Sequence, residues 1–109
     1  MSELELFGGR VEEVVSGIVS VRSRPGMGGV SVEIVFANGY GASIVNHFGT
    51  YGTELAVLDR YLHLTYATPV TDDVIGWLDR GTLIATLRLI SALPEAPYTG
   101  NTREIEEGN

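Results

Sequence analysis

At 109 residues, with 44% hydrophobic residues and a net charge of −7, the chain suits one packed domain and is short for two. It has no cysteine, which excludes disulfides, thiolate zinc sites and a cysteine nucleophile. No apolar run approaches the roughly 18 residues of a membrane helix, and the opening MSELEL lacks the basic start of a signal peptide, so a cytoplasmic protein is expected.

In chain order, the first predicted element is an amphipathic helix within 3–24, starting near Gly9. Leu4, Phe7, Val11, Val14, Val15 and Ile18 recur at three- and four-residue spacing, opposite Arg10, Glu13, Ser20 and Arg24. Gly8, Gly9, Gly17 and a cluster of β-branched residues argue against it, and a strand over 18–24 turning at 25–29 is the competing reading. Residues 30–36, VSVEIVF, alternate in the strand period, and Asn38-Gly39 predicts a type I′ turn into a returning strand over 40–46. The glycines of NGYGAS are spaced like those of a phosphate loop. They lead into a strand-like stretch rather than a helix, so a hairpin is the better reading.

A two-residue turn sets Phe36 opposite Gly41, Ile34 opposite Ser43, Val32 opposite Val45 and Val30 opposite His47, on the core face. Ser31, Glu33, Val35, Tyr40, Ala42 and Ile44 then share the second face. Residues 54–58 predict a third strand, Asp59-Arg60 a turn and 61–66 a fourth strand. Leu55, Val57, Leu62, Leu64 and Tyr66 fall on its core side, with Glu54, Ala56, Leu58, Tyr61, His63 and Thr65 opposite. Thr68-Pro69 breaks the sheet. Thr71 then caps a short helix to 78, and Asp79 caps a second, striped by Leu83, Ile84, Leu87, Ile90 and Leu93 and ended by Pro94. The expected fold is α+β: an antiparallel four-stranded meander with an N-terminal helix and two C-terminal helices. It forms a single domain over 1–94, and 95–109 reads as a loose acidic tail.

The acids gather at the two ends. Between Val14 and Arg103, seven acids nearly balance six arginines, so neither a basic nucleic-acid patch nor a DNA-mimicking surface is expected. All seven basic residues are arginine, which fits a high-GC genome.

VEIVFANGYGASIV at 32–45, ELAVL at 54–58 and YATPVTDDVIG at 66–76 resemble a small family of tailed bacteriophages and prophages. Its members carry a similar NGYGAS hairpin, an ELAVL strand and a TPITDDV helix start. The resemblance covers about 30–93 and implies a phage origin with no assigned activity. Family members have a longer loop between the equivalents of Tyr51 and Glu54, often with glycines and a tryptophan. The shorter loop here puts any loop-borne function in doubt.

The candidate chemistry is thin. His47 and His63, with Glu54 or Asp59, are the only metal-ligand candidates, and the register sends the two histidines to opposite faces, so no metal is expected. Asp72 and Asp73 could act as paired carboxylates but read more simply as first-turn helix acids. Ser43 and His47 lie about 13 Å apart along a strand at roughly 3.3 Å per residue, too far for a triad. Trp77 reads as core. The second sheet face is apolar where a solvated sheet reads polar. Either the N-terminal helix covers it, or Val35, Tyr40, Ile44, Leu58, Tyr61 and His63 form an interface. The function expected is that of a non-enzymatic phage accessory protein, needing no cofactor and binding neither nucleic acid nor membrane. It would act in the host cytoplasm through contact with a host, host-defence or phage protein, or as a homodimer. The alternative is a small-ligand-binding protein using that face and the glycine loops, with a pocket near Tyr40, Tyr51 and His63.

Overall fold

A computed structural model describes residues 6–26, 29–46, 52–71 and 73–98. Among these residues four strands, β1 (Ile18–Gly26), β2 (Gly29–Phe36), β3 (Gly41–Asn46) and β4 (Glu54–Leu58), form one antiparallel meander in the order β1-β2-β3-β4. Among the described residues, Leu6 and Phe7 are helical and α1 (Arg80–Ser91) packs on the sheet, giving an α+β fold. Among the described residues, no helix is long and apolar enough to cross a membrane.

The helix predicted from Gly9 to Arg24 is replaced by a 3-10 turn at Val11–Glu13 followed by β1. Ile18, Val19 and Val21 favour extended backbone, and Gly17 at φ +82° lies outside helical space. Phe7, Val11 and Val15 are nonetheless fully buried, as their spacing implies. Periodicity located the burial and missed the conformation. Between Ile18 and Ser20 a bulge leaves Val19 unpaired and 64% exposed.

The β2–β3 connection overturns the expected register. Gly39 N donates to Phe36 O at 2.9 Å and Phe36 N to Tyr40 O at 2.8 Å, enclosing a three-residue loop, Ala37-Asn38-Gly39. Of the Asn-Gly pair only Gly39 has a positive φ, +96°, so this is a turn with a glycine bulge rather than a type I′ turn. The extra residue slips β3 by one and turns every side chain over. Val32 now opposes Ile44, Ile34 opposes Ala42, and Val35 opposes Gly41. Ala42 and Ile44 are therefore core, at 0% and 1% exposure, while Ser43 and Val45 move to the second face.

In β4, Leu55 and Val57 face the core as the alternation implies. The fourth strand expected over 61–66 is reduced to a single bridge, Leu64 to Leu58. Leu62 sits at φ +65°, and Asp59 Oδ1 accepts from the backbone of Tyr61 and His63, so the chain turns here for longer than two residues. The short helix expected over 71–78 is also absent among the described residues. Thr71 Oγ1 accepts from Asp73 N at 3.1 Å in a local turn, and Ile75 pairs in extended form with Leu55.

Of the three predicted helices, α1 is the one that forms with its expected cap and stripe among the described residues. Asp79 Oδ1 caps it by accepting from Thr82 N at 2.7 Å. Leu83, Leu87 and Ile90 are buried, with Ile84 and Leu93 half-buried beside them. They join Leu6, Phe7, Val11 and Val15 in one cluster against Val32, Ile34, Phe36, Ala42, Ile44, Leu55 and Val57. The N-terminal segment and α1 thus cover the same sheet face, not opposite ones.

The C-terminal end of α1 is held by the hairpin loop. Asn38 Nδ2 donates to the carbonyls of Ile90 (2.9 Å), Leu93 (3.0 Å) and Ser91 (3.3 Å), satisfying acceptors a helix end leaves open. Arg88 Nε donates to Val14 O and Ser91 Oγ to Ser16 O, tying the same turn to the N-terminal segment. The stretch expected to be loose begins with tied residues: Ala96 is 1% exposed, and its N–H donates to Asn38 O at 2.7 Å. Arg60 completes the knot, bonding Ala96 O and Glu95 and stacking 3.7 Å from the Tyr98 ring centroid. Residues 99–109 lie outside the described residues.

Candidate functional site: the border beyond β4

The six residues expected to share an interface do not come together. Ile44 lies in the core and Tyr40 is half-buried against it, both moved there by the one-residue slip of β3. Val35 and Leu58 remain on the second face, flanking Gly41 across three strands. Tyr61 and His63 are exposed in the turn after β4. The corrected second face carries Ser20, Arg22, Ser31, Glu33 and Ser43, with Arg22 and Glu33 paired across strands at 3.4 Å. The face is polar along β1 and β2, while Val35, Val45, Ala56 and Leu58 keep it apolar toward β4, where Ala56 and Leu58 are buried and so offer no open surface.

The exposed apolar surface lies elsewhere. Past β4, the chain returns along the strand's outer edge. Thr65 N donates to Val57 O, Ile75 exchanges both backbone bonds with Leu55, and Leu78 N donates to Thr53 O. These bonds occupy an edge that would otherwise offer open donors and acceptors. Along this border Tyr61, Leu62, Leu64, Tyr66, Val74 and Trp77 are 38–76% exposed. They are six of the nine large hydrophobic side chains exposed among the described residues, so the exposure is concentrated rather than scattered.

Trp77 is the most exposed, at 76%, with φ +55°. Expected in the core of a short helix, it lies instead between two residues pinned to the edge, Ile75 and Leu78, and the left-handed backbone carries its ring outward. Gly52 permits the ring's position: a β-carbon there would sit 2.8 Å from Cε3 and 3.3 Å from Cζ3. Beside the indole is a groove of about 400 Å³ lined by Glu54, Asp73, Val74, Gly76 and Trp77. Asp73 is oriented by Val74 N, which donates to its Oδ1 at 2.7 Å.

The sequence held two signals for this site. Val74 and Ile75 are β-branched and favour extended chain, and Thr71-Asp-Asp suits a local turn as well as a helix cap. Of the other candidates, Ser43 lies on the second face, and His47, Tyr51 and Asp72 fall outside the described residues. Among the described residues, no group of three potential ligands could hold a metal ion. No family model, no curated protein and no solved structure matches this chain.

Proposed function

We propose that the chain is a non-enzymatic accessory protein of a phage or prophage, acting in the host cytoplasm by contact with a host or host-defence protein. The carrying observation is the run of exposed Tyr61, Leu62, Leu64, Tyr66, Val74 and Trp77 along one border. Tyrosine and tryptophan with aliphatic neighbours supply contact area with polar handles, the composition of an interface centre. The phage origin rests on the resemblance of residues 30–93.

Affinity capture from host lysate, with native mass spectrometry of the purified protein, tests this. Wild type should retain a stoichiometric partner that Leu64→Asp loses at an unchanged melting temperature, since Leu64 is 56% exposed. Capture that ignores this substitution, or no capture at all, would refute the reading. A dimer broken by Leu64→Asp would make the partner a second copy.

A further inference from the structure

We infer that the groove beside Trp77 receives the guanidinium of an arginine side chain carried by the partner protein. The inference takes its source, a protein, from the reading above, and its chemistry from the groove itself.

Two carboxylates, Glu54 and Asp73, line the groove, and none of the lining residues is basic. An anionic ligand would meet like charge there, in a chain whose net charge is already −7. The indole is the aromatic ring that attracts cations most strongly, and here it is three-quarters exposed. Guanidinium suits the combination better than ammonium. It is planar enough to lie on the ring and carries donors in a fork that a carboxylate can accept. Val74 offers apolar contact for the side-chain stem.

The chain already builds this arrangement once within itself. Arg60 lies 3.7 Å from the Tyr98 ring centroid while its NH2 bonds Glu95 Oε2 at 2.9 Å, an aromatic ring and a carboxylate gripping one guanidinium. The Trp77 groove presents the same two parts, with a better ring and a second acid. The backbone also holds the indole outward in a left-handed conformation that costs a non-glycine residue stability, so the exposed position is maintained against a local penalty.

Trp77 is the only tryptophan in the sequence, so fluorescence excited at the red edge of the indole band, where the five tyrosines do not absorb, reports this groove. The probes are three blocked peptides, identical except for a central arginine, lysine or citrulline. The arginine peptide should give a saturable change at millimolar concentrations that weakens with added salt. The lysine peptide should bind less tightly and the citrulline peptide, isosteric but uncharged, not at all. Asp73→Asn should weaken the arginine peptide about tenfold, and Glu54→Gln should act in the same direction, with circular dichroism melts confirming the fold of each. Equal responses to arginine and citrulline, or no response to any peptide, would overturn the inference. In those cases the protein-contact reading still stands if Leu64→Asp abolishes capture. Charge-selective peptide binding without any border-dependent partner would instead overturn the proposed protein source, leaving a site for a free guanidinium compound.

Discussion

The hairpin end around Asn38 and the border around Trp77 are both built from irregular chain beside the same sheet, and they use it in opposite ways. At the hairpin end, loop, helix terminus and C-terminal segment converge, and their polar groups bond one another: one Asn38 amide serves three carbonyls, and Arg60 is held by Ala96, Glu95 and Tyr98. At the border the backbone is equally well anchored to β4, yet the side chains point away from the core. A knot that consumes its own bonding capacity is structural. A well-fixed backbone displaying unburied aromatics is the arrangement that recognition requires, because the geometry is ready before a partner arrives. Mutations should therefore cost stability at the first region and binding at the second.

The largest effect expected follows from the register that the hairpin end imposes. Ile44→Ala should destabilise the fold by about 2–5 kcal/mol, the range for a buried aliphatic side chain. Val45→Ala, on the other face, should cost about 1 kcal/mol or less. A two-residue turn would reverse this order, so urea melts of the two variants decide between the registers. Gly39→Val should cost about 1–3 kcal/mol, since a β-branched residue must hold the left-handed conformation. Its β-carbon would also lie 2.6 Å from Arg60 NH2, forcing the guanidinium from the knot. A near-zero cost in the same melts would mean that the loop is not fixed by these contacts.

The difference between the two regions also explains what was legible in the sequence. Local rules worked where local interactions decide: the Asp79 cap, the α1 stripe and the alternation of Leu55 and Val57. The hairpin itself was legible from Asn38-Gly39, but its loop length was not. Asn38 is recruited by the end of α1, some fifty residues away in sequence, and no local pattern records that bond. One added residue in the loop was enough to move Tyr40 and Ile44 from the expected interface to the core. At the border the error ran the other way. Leu62, Leu64, Tyr66 and Trp77 look like core in any pattern reading, because hydrophobicity does not distinguish a residue kept for the interior from one kept for a partner.

At the border, the comparison between two substitutions at one position isolates backbone strain. Trp77→Gly should be about 1 kcal/mol more stable than Trp77→Ala, because glycine tolerates φ +55° and alanine does not. Both variants should lose partner binding to the same extent. Thermal melts together with the capture assay check this, and equal stabilities would mean that the conformation at 77 carries no penalty. A large loss of stability in both would place the indole among the groups that hold the fold, against its exposure.

The smallest effect concerns Asp79, at the junction where the border chain enters α1. The Thr82 backbone N–H donates to its carboxylate, and this bond together with one from the Thr82 side chain holds its pKa below the ordinary aspartate value. A folded-state pKa lower than the unfolded one means that the unfolded chain binds protons more readily. The cap therefore contributes its full stabilisation above the ordinary aspartate range and loses it as pH falls through that range and below the depressed folded value. Asp79→Asn keeps an acceptor for Thr82 N but removes the titration, so it should flatten the acid limb of the stability curve. The carboxylate is fully exposed, and the change at neutral pH should be slight. Melting temperatures of wild type and Asp79→Asn, measured from neutral to acid pH, should converge as the pH drops. Parallel curves would show that the Asp79 proton is not linked to folding.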